Sequence, residues 1–77
     1  MLRSTYPPTK NQKLIFEFLV KFIKEHKYSP TQAEIAEHFD IGRPLVNYYL
    51  TELEIKGYVT TPGKNNRNLI LLKKTIN

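Results

Sequence analysis

The sequence predicts a mainly α domain, three helices followed by a small β-hairpin, on three observations. Apolar residues recur at helical spacing from Asn11 to about His26. Two helix-start signals follow, the Thr31-x-x-Glu34 pattern and Pro44. Two short β-like runs then flank a turn at Pro62-Gly63.

Each element has a local cause. Residues 1–8, ending in Tyr6-Pro7-Pro8, read as a flexible segment, because each proline fixes its own φ and pushes its predecessor out of the helical region. Thr9 or Asn11 is placed to cap the first helix, whose inward face is Ile15, Phe18, Leu19, Phe22 and Ile23. Leu14, Phe16 and Val20 widen its apolar stripe beyond one buried face. Either a second element of the same domain or a second subunit must cover that excess, and these residues are the candidate dimer contact.

The second helix runs from Gln32 to about Phe39, with Ile35, Ala36 and Phe39 inward and Glu37 and His38 outward. Thr31 and Glu34 form its capping box. Asp40-Ile41-Gly42 breaks the run, since both Asp and Gly adopt the left-handed conformation, and Ile41 plugs the turn into the core. The third helix spans Pro44 to about Lys56 and stops at Gly57. Val46, Leu50 and Leu53 make its buried stripe, and Tyr49 falls beside it. Strands at 58–61 and 69–72 enclose a type II turn at Pro62-Gly63 and a polar, basic tip from Lys64 to Asn68. The domain is therefore expected over 9–72, with a basic tail over 73–77.

Composition bounds what such a domain can do. With 77 residues, the chain suffices for one small domain. A chain of this size buries only about 60% of its unfolded surface, which leaves little for a deep substrate cleft. No paired carboxylates on one face, phosphate-cradling glycine loop or nucleophile with a base is visible, so the chain does not read as an enzyme. It has no cysteine, and its two histidines, His26 and His38, cannot complete a four-ligand site without carboxylates. No metal, cofactor or small-molecule ligand is expected. The longest apolar stretch, Leu14 to Ile23, is interrupted by Glu17 and Lys21, and the N-terminus has no apolar core of signal-peptide length. Neither membrane insertion nor export is expected, and the cytoplasm is the expected compartment.

Charge supplies the function class. Twelve Lys plus Arg against seven Asp plus Glu give a net charge of +5. All seven acids lie between Glu17 and Glu54, so both ends are purely basic: Arg3, Lys10 and Lys13 before them, and Lys56, Lys64, Arg67, Lys73 and Lys74 after. Segregated cations attract a polyanion.

Two short helices joined by a tight turn, followed by a hairpin with a basic tip, describe a winged helix-turn-helix. In that arrangement the third helix enters the major groove of double-stranded DNA. Its exposed stripe holds Arg43 at the tip, then Pro44, Asn47, Tyr48 and Thr51, with no acid among them. Asn pairs bidentately with adenine, Arg with guanine or a phosphate, and Tyr donates to phosphate or stacks. Lys64 and Arg67 on the wing are expected along phosphates or in the adjacent minor groove. Lys10, Asn11, Thr31 and Gln32 are candidate contacts at the starts of the first two helices. One such domain makes a small DNA interface, so a homodimer on a repeated or palindromic site is expected, joined through Leu14, Phe16 and Val20 or through the C-terminal Lys73-Lys74-Thr75-Ile76-Asn77.

The run Tyr28-Ser29-Pro30-Thr31-Gln32-Ala33-Glu34-Ile35-Ala36 resembles the Pro-Thr-x-x-Glu-Ile-Ala segment of LexA repressor N-terminal domains. Downstream, Leu50-Thr51-Glu52-Leu53 with Lys56-Gly57-Tyr58-Val59 is similar to that family's helix end and first wing strand, and Pro62-Gly63-Lys64 with Arg67 to its wing. The likeness covers about Thr9 to Leu72 and implies a sequence-specific transcriptional regulator, in the sense of a repressor, in a prokaryotic cell or a virus-infected prokaryotic host. The turn between the two motif helices is one residue shorter than the family's, and Gly42-Arg43-Pro44-Leu45 replaces its Ser-rich helix start, so operator choice does not carry over. LexA-type repressors also have a self-cleaving peptidase domain. This chain stops before one could begin, which implies a stand-alone winged helix.

A rival class uses the same fold to dock a protein through Tyr48, Tyr49 and the broad apolar side of the first helix. The basic ends favour DNA.

Overall fold

The computed structural model describes residues 9–61 and 69–73. Its elements are α1 (Lys10–His26), α2 (Gln32–Phe39), α3 (Arg43–Ile55), β1 (Val59–Thr60) and β2 (Ile70–Leu71). This is the mainly helical architecture with a two-stranded hairpin that the sequence predicts. The expected flexible segment over 1–8, the Pro62-Gly63 turn, the wing cations and tail residues 74–77 lie outside the described residues.

Local signals set the helix starts. Thr9 caps α1 through its Oγ, which accepts the Gln12 N–H at 3.2 Å, while Gln12 Oε1 accepts the Thr9 N–H at 3.1 Å. Thr31 and Glu34 form the same reciprocal pair at 3.1 and 2.8 Å. Gly42 caps α3 with no side chain, at a φ of −76°, and Pro44 sits within the first turn. Gly42 thus does not take the left-handed turn expected of it; Asp40 does so alone in that loop, at a φ of 56°.

All three helices stop on a left-handed residue: Lys27, Asp40 and Gly57. After α2, Ile41 N–H reaches Ala36 O at 3.0 Å and Asp40 N–H reaches Glu37 O at 3.3 Å. After α3, Tyr58 N–H reaches Leu53 O at 2.9 Å and Gly57 N–H reaches Glu54 O at 3.0 Å. Both are the paired closure of a Schellman motif, which satisfies carbonyls the helix leaves open.

The strands are shorter than expected. β1 and β2 pair antiparallel, Val59 facing Leu71 and Thr60 facing Ile70. One core joins Ile15, Phe16 and Leu19 of α1, Ile35 and Ala36 of α2, Val46, Leu50 and Leu53 of α3, and Val59 and Leu69 of the hairpin.

The buried face of α1 is rotated relative to expectation, because α1 packs against both α3 and the hairpin. Gln12, Ile15, Phe16 and Leu19 point inward. Phe16 is 1% exposed and meets the edge of the Tyr58 ring at 5.5 Å, so it is core and not part of a dimer contact. Val20 is half-buried against the same core, and Leu14, 45% exposed, is the member of the expected contact that stays at the surface. Phe18 and Phe22, expected inside, are half-buried at the border with α2, where Phe18 stacks on His38 at 4.2 Å and meets the edge of Phe39 at 5.4 Å.

Candidate nucleic-acid interface

The buried stripe of α3 dictates what its other side offers. With Val46, Leu50 and Leu53 in the core, the 3.6-residue period turns Arg43, Pro44, Asn47, Tyr48 and Thr51 outward, and all five are exposed. Tyr48, the aromatic of that stripe, is 54% exposed. No acidic residue lies in the first turn of α3, and the Gly42 cap leaves that turn with no side chain occupying its amides.

The two carboxylates of α3 sit toward its C-terminal end and have partners. Glu52 lies 4.0 Å from the Lys56 ammonium, and Glu54 Oε1 accepts the Thr61 hydroxyl at 3.5 Å. The first two turns of the helix therefore present amide, hydroxyl and guanidinium groups without a competing negative charge.

The start of α2 abuts this surface. Gln32 Nε2 donates to Asn47 Oδ1 at 3.5 Å, which joins two of the expected contact residues across the motif. Thr31, half-buried, accepts the Glu34 N–H at its Oγ as the cap of α2. At the start of α1, Lys10 is exposed. Asn11, also exposed, donates Nδ2 to the Tyr49 hydroxyl at 3.0 Å and so ties the first turn of α1 to the flank of α3. One N–H of that amide remains for another acceptor. Lys64 and Arg67 lie outside the described residues.

The structure removes one cation from the surface and adds a residue that sequence reasoning passed over. Lys56 has a side chain only 6% exposed, and its ammonium donates to Gln12 Oε1 at 2.7 Å. It is a structural lysine inside the expected basic end. Gln12, at 2% exposure, reads in sequence as a polar helix-surface residue; the signal that could have found it is its place three residues after the capping Thr9. Lys73 lies over the Tyr58 ring at 4.6 Å, so the first residue of the expected tail packs on the hairpin.

On the border of α1 and α2, an open groove of about 450 Å³ is lined by Leu14, Phe18, Phe22, His26, His38 and Phe39. Among the described residues no group of three or more His, Cys, Asp or Glu is placed to hold a metal ion, and no helix is long and apolar enough to cross a membrane.

Known proteins match this chain along nearly all of the domain. It is 35% identical over 66 residues to the LexA repressor of Thermosipho africanus, 37% over 67 residues to that of Myxococcus xanthus, and 34% over 68 residues to LexA repressor 2 of Geobacter sulfurreducens. Each match covers 86–87% of this chain and 30–34% of the repressor, so the chain spans about a third of the length of these relatives. Residues 5–68 match the family described as the LexA DNA binding domain, and that match takes in α1, α2, α3 and β1 with their caps. The chain belongs to the LexA DNA-binding domain family.

Proposed function

We infer that this chain is a sequence-specific double-stranded DNA-binding module of a transcriptional regulator, acting as a repressor. The observation that carries the reading is the acid-free exposed stripe of α3, set on a scaffold of the LexA DNA-binding family. α3 enters the major groove, with Arg43, Pro44, Asn47, Tyr48 and Thr51 toward the bases and the flanking phosphates. Gln32, Thr31, Lys10 and Asn11 hold the backbone on either side. Lys64 and Arg67, in the segment between β1 and β2, hold phosphates or reach the adjacent minor groove.

Regulation here is occupancy of DNA, not chemistry: the chain binds and does not catalyse. Two copies on paired half-sites supply the interface area that one small domain lacks. Leu14, which lines the aromatic groove, and Val20 form their contact, and the exposure of Leu14 supports that placement.

Selection of the purified protein on a random duplex library, repeated across a salt series, tests the reading. Enrichment of a motif with paired half-sites is the expected result. Salt-insensitive failure to retain any duplex would overturn it and turn attention to a protein partner for the aromatic groove. Sedimentation of a monomer at high concentration, free and on DNA, would remove the dimer.

A further inference from the structure

We propose that Lys56 and Tyr49 are positioning residues that hold the first turn of α1, with the cation of Lys10, in a fixed place beside α3, so that it meets a DNA phosphate already ordered. The inference rests on the DNA reading above, with Lys10 as a phosphate contact.

Two polar ties run from adjacent residues of α1 to one side of α3. Gln12 Oε1 accepts the Lys56 ammonium at 2.7 Å, and Asn11 Nδ2 donates to the Tyr49 hydroxyl at 3.0 Å. Tyr49 and the C-cap Lys56 are about two helical turns apart, so they lie on the same side of α3. The Tyr49 ring in turn lies 5.6 Å from that of Tyr48, which belongs to the exposed stripe.

The first tie has one possible polarity. The Lys56 ammonium and the Thr9 N–H, which both meet Gln12 Oε1, can only donate, so the oxygen end of that amide is fixed. Its two partners are also shielded, Gln12 at 2% exposure and the Lys56 side chain at 6%. The second tie is exposed, but a phenol hydroxyl both donates and accepts, and therefore holds either end of the Asn11 amide.

The start of α1 depends on these ties. Among residues 10–14 only Gln12 is buried, and the apolar core takes α1 in from Ile15 onward. Lys10 is exposed and no acid lies in that first turn. A contact made by an unordered turn loses part of its gain to the ordering of the chain, whereas a turn already held keeps its cation at the phosphate. The counterion released there appears in the salt dependence of binding. Lys56, nearly buried, acts through Gln12 and does not touch DNA itself.

Three substitutions separate this role from a purely structural one. Lys56→Met removes the donor and keeps an apolar stem, while the Thr9 N–H still meets Gln12 Oε1, so the cap of α1 remains. Lys56→Arg keeps both charge and donors. Tyr49→Phe removes the second tie, keeps the ring, and decides the question alone if Lys56→Met does not fold. Circular dichroism at the assay temperature establishes folding. The readout is the slope of log K against log salt for the full chain on the duplex enriched from the random library, with and without Lys10→Ala. Comparison within each background cancels the charge that Lys56→Met removes.

In the parent and in Lys56→Arg, Lys10→Ala is expected to flatten the slope by about 0.9 unit, the share of one phosphate. In Lys56→Met and in Tyr49→Phe it is expected to flatten the slope by less than half as much, because the contact is already loosened. A full step in either folded variant would overturn the proposal and leave that tie a purely structural one. No step in the parent would overturn Lys10 as a phosphate contact, and the proposal with it, while continued binding of the enriched duplex would leave the DNA reading standing.

Discussion

The Lys56 ammonium donates to Gln12 Oε1 at 2.7 Å, a contact between residues 44 positions apart that ties the C-terminal end of α3 to the first turn of α1. The same oxygen accepts the Thr9 N–H at 3.1 Å, so one buried acceptor satisfies both a helix cap and a nearly buried cation. Removal of that acceptor leaves two donors without it at a part-buried site. Gln12→Leu is expected to destabilise the domain by about 2 kcal/mol despite its apolar side chain, whereas Gln12→Glu keeps the acceptors and retains most of the stability. Urea denaturation decides it: a loss in Gln12→Leu below about 0.5 kcal/mol would show that the contact carries no weight.

Asn11 and Tyr49 form a second tie, at 3.0 Å, but on the exposed flank. Asn11→Ala and Tyr49→Phe are each expected to cost about 0.5–1 kcal/mol, and together no more than the larger single loss plus a few tenths. A double-mutant cycle in thermal denaturation measures the coupling. Full additivity would mean that the two side chains do not depend on each other.

Gly57 has a φ of 86°, and a Cβ built there meets nothing within 4 Å. Any penalty for Gly57→Ala is therefore backbone strain without a clash, about 1 kcal/mol, which lowers the Tm of a domain this size by roughly 4–8 °C. Gly57→Asn is expected to fall between the two, since Asn enters the left-handed region more easily. A Tm for Gly57→Ala equal to the parent's would contradict the left-handed stop.

Asn47→Ala is expected to weaken binding to the selected site by about 1–3 kcal/mol and binding to random duplex by much less. Competition between the two duplexes at constant salt measures the difference. A loss of equal size on both would reassign Asn47 to the phosphates.

Lys64 and Arg67 are proposed phosphate contacts. Replacement of both by Ala is expected to weaken every sequence alike and to flatten the slope of log K against log salt by roughly two units, about one for each phosphate released. A slope identical to the parent's would return both cations to a solubilising role.

The helix boundaries were legible because their signals are local. Thr31 and Glu34 begin α2, and Pro44 and Gly57 bracket α3, through contacts within a few residues, which a reader of sequence can enumerate. The outward stripe of α3 was legible for the same reason, since Val46, Leu50 and Leu53 leave it no other direction. The left-handed Lys27 carried no such signal, because nothing in the residue type favours that conformation; the Ile23 carbonyl, which accepts its N–H at 2.8 Å, closes the helix there.

The sequence by itself thus determined the order of the helices, the capping box of α2, the left-handed stop at Gly57, the hairpin that follows and the family resemblance carried by Pro30 to Ala36. Tertiary structure alone decided which neighbour each broad apolar or polar face meets. Periodicity says that Phe16 and Phe18 are both apolar, but the hairpin takes Phe16 into the core while α2 leaves Phe18 at its border. Charge counting places Lys56 among the surface cations, but Gln12 draws it inside. Gln32 and Asn47, 15 positions apart, meet only when α2 packs on α3. Such pairings depend on contacts between positions far apart in the chain, and spacing along one helix holds no information about what packs against it.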